Sequence, residues 1–120
     1  MVVKKVLCVD DVKADLMNIE KIVAGAGMLV VTASSGIEAV AKANSEQPDL
    51  IFLDINMPDM DGFATIRELK KIAETKSIPV IFVSSKDQKA DKIWAQMQGA
   101  VGYVTKPYTQ EQIIEKLNSI

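Results

Sequence analysis

The sequence predicts an α/β fold in which a parallel β-sheet carries helices on both faces. The first observation is a set of short apolar runs, clearest at residues 6–9, 50–53 and 80–83. Each run is continuous rather than alternating, which is typical of strands buried on both faces. The second observation is that amphipathic helical patterns separate the runs, so that strand and helix alternate five times. This alternation favours parallel strands joined by right-handed helical crossovers.

The first half of the chain begins with the strand at 6–9. Apolar residues at helical spacing predict a first helix, and they are Val12, Leu16, Ile19, Val23 and Ala26. Gly25 and Gly27 favour its end. A weaker strand is expected at 29–32. The second helix should begin at Ser35, with Glu38 completing a capping box. Its apolar residues are Ile37, Val40, Ala41 and Ala43.

The second half repeats the pattern from the strand at 50–53. A third helix follows, and its apolar residues are Phe63, Ile66, Leu69 and Ile72 or Ala73. The strand at 80–83 precedes a fourth helix whose apolar residues are Ile93, Trp94 and Met97, and a weaker strand is expected at 101–104. Thr109 is the expected cap of the last helix, with Gln112 three residues later and Ile113, Ile114 and Leu117 as its apolar residues.

Length and composition narrow the functional classes. We expect 120 residues to form one domain, 1–120, without an output domain, and to be a monomer. A net charge of −2 argues against nucleic-acid binding. No apolar run is long enough for a secretory signal or a membrane span, which predicts a cytoplasmic protein. With no histidine and a single cysteine, Cys8, expected in the core, any metal should be a hard ion held by oxygen.

Polar residues follow the predicted strands where each strand ends. Asp10 and Asp11 follow the first strand, Asp54 the third, Ser84 the fourth and Lys106 the fifth. Ligands of such sheets bind at the carboxyl ends of the strands, so we expect these side chains to converge. Clustered carboxylates favour Mg²⁺, and a lysine suits a phosphoryl oxygen. This set predicts phosphoryl transfer to a carboxylate, with Asp54 as the best candidate nucleophile.

The chain resembles the receiver domain of two-component response regulators. The resemblance covers essentially the whole chain, and its matching stretches are VLCVDD (6–11), PDLIFLDINMPDMDG (48–62), IPVIFVSS (78–85) and GYVTKP (102–107). It implies a flavodoxin-like (βα)5 fold with strand order 2-1-3-4-5. A histidine kinase would be the phosphoryl donor. A narrower resemblance at 84–107 is to the regulators of type IV pilus chemosensory systems that control twitching motility.

The resemblance implies a role for each candidate residue. Asp54 is the implied phosphoacceptor, and Lys106 pairs with the phosphoryl group. Asp11, Asp54 and the main-chain carbonyl of Asn56 would ligate Mg²⁺, or Mn²⁺ as a substitute, while Asp10 acts through metal-bound water. Ser84 and Tyr103 are the implied switch pair. The switch would change the face formed by helix four, strand five and helix five, which binds a downstream target. The Lys106–Pro107 bond is expected to be cis.

Other readings remain open on the sequence. A Mg²⁺-dependent phosphatase or phosphotransferase with an aspartyl nucleophile is one, although residues 10–12 lack the DxD spacing of that class. A receiver fragment of a longer transcriptional regulator is another. An adaptor that is not phosphorylated is a third, but such proteins usually lose the acceptor, the acid pair or the lysine. A nucleotide-binding protein is disfavoured because both glycine-rich phosphate-binding motifs are missing.

Overall fold

In the part of the chain that the structure describes, five parallel strands form a single sheet in the order β2-β1-β3-β4-β5. The computed structural model describes residues 2–120. The strands are β1 (Lys5–Val9), β2 (Leu29–Ala33), β3 (Leu50–Leu53), β4 (Val80–Ser84) and β5 (Gly102–Thr105). Because β1 pairs with both β2 and β3, the strand order reverses beside it. The predicted fold class and strand order are confirmed.

Among the described residues, five helices connect and cover the strands. They are α1 (Lys13–Gly25), α2 (Gly36–Glu46), α3 (Gly62–Lys71), α4 (Lys89–Met97) and α5 (Gln110–Asn118). No helix within residues 2–120 is both long and apolar enough to cross a bilayer. The predicted capping box of α5 is confirmed, since Thr109 Oγ1 accepts from the N–H of Gln112 at 3.2 Å and the Gln112 side chain accepts from the N–H of Thr109 at 2.7 Å.

The sheet separates two apolar cores. Alternate residues of β1 enter opposite cores, so Leu7 packs on the side of α2, α3 and α4 while Val6 packs on the side of α1 and α5. Both side chains are fully buried. Burial on both faces explains why the strands read as continuous apolar runs. Cys8 is likewise buried, and burial raises the pKa of its thiol to about 12.

The second and fourth helices pack differently from their sequence patterns. Most of the large apolar residues that predict these helices are exposed, with exposed fractions of 68% for Ile37, 44% for Trp94 and 70% for Met97. Val40 is the exception, because it is partly buried against the core. Small residues face the sheet instead, including Ala39 on α2 and Ala95 on α4. An alanine leaves room for the helix axis to approach the strands, so size did not identify the buried face of either helix.

The capping of α2 and the start of the last strand also differ from the prediction. Ser35 caps α2 by accepting from the N–H of Glu38 at 3.1 Å, but the Glu38 side chain accepts from the N–H of Ser34, at 2.6 Å, rather than from that of Ser35. The last strand begins one residue later than expected, because Val101 is an exposed residue that precedes β5.

An aromatic row connects α4 with β5 through the core. The ring of Phe63 on α3 lies edge-on to both Trp94 and Phe82, with centroid distances of 6.3 and 5.3 Å. The Phe82 ring is 6.4 Å from that of Tyr103. The four rings therefore form a continuous series from the surface of α4 to β5.

Candidate phosphoacceptor site

The reversal of strand order brings three carboxylates together. Val9 and Leu53 are register partners at the ends of β1 and β3, so Asp10 and Asp54 follow side by side. The main chain continues this pairing for one more residue, since the N–H of Asp54 donates to the carbonyl of Val9 at 3.0 Å. One oxygen each from Asp10, Asp11 and Asp54 lies within 4.8 Å of the others. Asp10 and Asp54 are buried, whereas Asp11 is exposed.

Main-chain N–H groups orient the two buried carboxylates. Asp10 Oδ1 accepts from the N–H of Val12 at 2.9 Å, and Asp54 Oδ1 accepts from the N–H of Ile55 at 2.9 Å. Gly62 packs directly against the main chain of Asp54, because a Cβ at this position would lie 2.4 Å from the carbonyl oxygen of Asp54. The conformation of the chain around Asp54 therefore requires glycine at position 62.

The pairing of β4 with β5 positions Lys106 beside the carboxylates of Asp10 and Asp54. Ser84 and Thr105 are register partners, and the N–H of Lys106 then donates to the Ser84 carbonyl at 2.8 Å. The Lys106–Pro107 peptide bond is cis. The Lys106 ammonium lies 2.7 Å from Asp10 Oδ2 and 3.8 Å from Asp54 Oδ1.

Burial and mutual repulsion shift the pKa of the Asp54 carboxyl. Burial, reinforced by the neighbouring charge of Asp10, raises the pKa of Asp54 to about 6, against the opposing effect of Lys106. For Lys106, burial favours the neutral amine, but the hydrogen bond with Asp10 and the charge of Asp54 outweigh it and raise the pKa. The lysine therefore remains a cation at neutral pH.

The two predicted switch residues, Ser84 and Tyr103, both hydrogen-bond to the main chain of Lys86. Ser84 is buried at the end of β4, and its Oγ accepts from the N–H of Lys86 at 3.2 Å. The hydroxyl of Tyr103, on β5, donates to the carbonyl of Lys86 at 2.6 Å. Burial raises the pKa of this phenol. The main chain of Lys86 is thus the common partner of Ser84 and Tyr103.

One predicted site residue has an exposed side chain, and one charged residue was missed. Asn56 is exposed in the loop after β3, two residues beyond Asp54, and its predicted role rests on its main-chain carbonyl. Asp15, on α1, was not predicted, yet its Oδ2 lies 3.1 Å from the Lys106 ammonium. The sequence offered only an acidic residue in the first turn of a helix, which is a common N-terminal feature and does not indicate a contact with Lys106.

The donor set suits a hard divalent cation. The cluster offers carboxylate oxygens from Asp10, Asp11 and Asp54, and the exposure of Asp11 leaves the cluster open to solvent. Oxygen donors of this kind suit Mg²⁺, which retains several waters and takes one or two carboxylates. The residues present therefore fit the ion that the sequence predicts.

Comparisons with known proteins agree with this geometry. A family model described as "Response regulator receiver domain" matches residues 6–118. The chain is 40% identical to Protein PilH of Pseudomonas aeruginosa over 116 residues, which cover 97% of this chain and 96% of PilH. It is 38% identical to Protein PilG of the same organism, covering 92% of this chain and 82% of PilG.

Solved structures agree as well. The chemotaxis protein CheY4 of Vibrio cholerae superposes with a TM-score of 0.92 at 30% identity, covering 99% of both chains. The receiver domain of the sensor histidine kinase PA1611 of Pseudomonas aeruginosa, which has a magnesium ion in its active site cleft, shares the fold at 24% identity and a TM-score of 0.89, covering 98% of this chain and 97% of that one. These findings confirm the resemblance to chemotaxis- and pilus-type regulators, and the chain belongs to the response regulator receiver domain family.

Proposed function

We propose that the protein is a phosphorylation switch in which Asp54 accepts a phosphoryl group from a histidine kinase. Receiver domains as a family take phosphoryl groups from histidine kinases and act on downstream targets. The observation that carries the assignment is the convergence of three carboxylates within 4.8 Å, with the Lys106 ammonium 3.8 Å from Asp54. Asp54 is the acceptor in this proposal because its carboxylate lies close to both other acids and to the lysine, whereas the Asp10 carboxylate is already hydrogen-bonded to Lys106.

The chemistry assigned to these residues is an in-line displacement. A carboxylate oxygen of Asp54 forms a bond to phosphorus as the bond from phosphorus to the donor histidine nitrogen breaks, and the electron pair returns to the imidazole. Negative charge spreads over the phosphoryl oxygens during this step. Lys106 is proposed to stabilise that charge, because it is a partly buried cation held beside Asp54 by its ion pair with Asp10. Loss of the phosphoryl group would be hydrolysis of the same acyl phosphate.

Mg²⁺ completes the proposed site. The family binds Mg²⁺ at an acidic pocket, and Asp11, Asp54 and the main-chain carbonyl of Asn56 are the proposed ligands. Asp10 is assigned to metal-bound water, since its Oδ2 is already paired with Lys106. When bound, the cation would offset charge on the phosphoryl oxygens. Mn²⁺ is the proposed substitute because it shares the preference for oxygen ligands.

The proposed output surface is the face formed by α4, β5 and α5. A groove between α4 and β5 is lined by Lys92, Gln96 and Tyr103, and Val101 beside it is 57% exposed. Ser84 and Tyr103, which share Lys86 as a partner, are the proposed link from the phosphoryl group to this face. A local charge change would then bias the conformation that the target binds.

The relatives favour a pathway of chemotaxis or type IV pilus motility. The match covers 96% of PilH and 82% of PilG, and CheY4 is a chemotaxis protein. The single-domain organisation at 1–120, the monomeric state and the cytoplasmic location stay predictions. Phosphotransfer profiling against the histidine kinases of the source organism tests the pathway, and we expect rapid, selective transfer from one chemotaxis-type kinase.

The acceptor is tested by labelling with acetyl phosphate and Mg²⁺. Wild-type protein should gain one acid-labile phosphoryl group, and Asp54→Asn should gain none. Asp59→Asn is a matched control, because Asp59 lies in the following loop with a φ of 69°, a conformation that asparagine tolerates. Label that persists in Asp54→Asn contradicts the assignment. Steady turnover of phosphorylated metabolites would instead favour the phosphatase reading.

A further inference from the structure

Asp15 is a charged residue at the site that the proposed function leaves without a role. It lies in the first turn of α1, and its Oδ2 is 3.1 Å from the Lys106 ammonium. We propose that Asp15 is a positioning residue that holds this ammonium ready for the phosphoryl group on Asp54. The inference rests on the proposed function, because it assigns Asp15 a part in the same transfer.

The first support comes from the hydrogen-bonding capacity of the lysine. An ammonium group has three N–H donors and no acceptor. Asp10 and Asp15 lie within hydrogen-bond distance of Lys106 Nζ, at 2.7 and 3.1 Å. Asp54 Oδ1 is 3.8 Å away, which is too long for a hydrogen bond. Two donors are therefore used by the flanking carboxylates, and the third is left for an oxygen of the phosphoryl group.

The second support is that the two carboxylates belong to different elements. Asp10 directly follows β1, whereas Asp15 belongs to α1. A lysine has a flexible four-carbon stem, so a single ion pair leaves its head group free to rotate about that contact. Two partners on separate elements restrict it further. The Lys106 side chain is only 18% exposed, so the surrounding residues also limit where its ammonium group can lie. The Asp15 side chain is 46% exposed.

The third support is the charge change during transfer. With acetyl phosphate as donor, an Asp54 oxygen bonds to phosphorus while the bond from phosphorus to the acetyl oxygen breaks, and acetate leaves with the electron pair. An ammonium that is already in place stabilises the phosphoryl oxygens without reorganisation at that moment. Removal of Asp15 should therefore slow the reaction, even though it removes a negative charge that repels the anionic donor.

The test compares phosphorylation and dephosphorylation rates of matched variants of the full chain in Mg²⁺. We expect Asp15→Ala to slow both rates by about threefold, the size of one partly exposed ion pair. Asp15→Asn should fall between wild type and Asp15→Ala, because the amide oxygen still accepts a hydrogen bond. Glu20→Gln removes the same charge farther along α1 and should leave both rates unchanged. Equal unfolding midpoints for these variants would exclude a general loss of structure.

The deciding measurement repeats Asp15→Ala in a Lys106→Ala background. If Asp15 acts through the lysine, the second substitution should have no further effect on either rate. An effect of equal size in both backgrounds overturns the inference, as does an Asp15→Ala rate at or above that of wild type. Failure of the proposed function looks different, because Asp54→Asn would then still take up label.

Discussion

The exchange of Gly62 for alanine should destabilise the fold and displace the acceptor. The added Cβ would lie 2.4 Å from the carbonyl oxygen of Asp54 and 2.8 Å from the Cα of Ile55. Both are main-chain atoms, so no change of rotamer relieves the contact. The N–H of Gly62 also donates to the carbonyl of Ile55 at 2.8 Å, which holds the two segments together. The backbone around Asp54 must therefore move.

The magnitude follows from two opposing contributions. Overpacking of this kind costs about 1–3 kcal/mol. Alanine gains up to about 1 kcal/mol over glycine in helical backbone, although Gly62 is only the first residue of α3. The net loss in the free energy of unfolding should be about 1–2 kcal/mol, or about 4–8 °C in Tm for a chain of this size.

Urea denaturation of two alanine variants measures the effect. Gly25→Ala is the matched control, since Gly25 ends α1 and a Cβ there meets nothing within 4 Å. This control should be as stable as wild type or slightly more stable. Phosphorylation by acetyl phosphate should also be slower in Gly62→Ala than in Gly25→Ala. A Gly62→Ala variant as stable as Gly25→Ala, with the same denaturant slope, would refute the reasoning.

Three further predictions concern a carboxyl, a thiol and a cap. Folding raises the pKa of Asp54 from 3.8 to about 6, so ionisation of this carboxyl lowers the free energy of unfolding progressively from about pH 4 to 6. Urea titrations in EDTA should find Asp54→Asn more stable than wild type by about 1–2 kcal/mol at pH 7, after allowance for solvent screening, and equally stable near pH 3.5. Equal stability at pH 7 would contradict the prediction. Cys8, with a pKa of about 12 in the fold, should react with an aromatic disulfide at pH 8 only as urea unfolds the chain, and rapid labelling in native buffer would count against its burial. In urea denaturation, Thr109→Ala should lower the free energy of unfolding by about 1 kcal/mol. Thr109→Ser should lower it much less, because serine keeps the hydroxyl of the capping box. Equal losses in the two variants would argue against the cap.

The strands were predictable because their environment is uniform. Leu50, Ile51, Phe52 and Leu53 are all buried, and a strand covered on both faces needs an apolar residue at every position. The convergence of the acids followed from the same prediction, because parallel strands end at one edge of the sheet. The specific order of strands came from the family resemblance rather than from the apolar runs.

Helix orientation was less predictable, because the size of a side chain as well as its hydrophobicity decides which face of a helix packs against the sheet. Ala95 is buried on α4 while Ile93 and Trp94, its neighbours in sequence, are largely exposed. Alternative helix faces of similar hydrophobicity cannot be separated by periodicity when the buried residue is small. Asp15 was missed for a related reason, since a contact with Lys106, 91 residues away, depends on tertiary structure.

The aromatic row gives the molecule a built-in optical probe. Trp94 is the single tryptophan of the sequence, and its ring lies edge-on to Phe63. Phe63 directly follows Gly62, the residue that packs against the main-chain carbonyl of Asp54. A shift of α3 relative to α4 would change the surroundings of the indole, so its fluorescence can follow events at Asp54 without an attached dye.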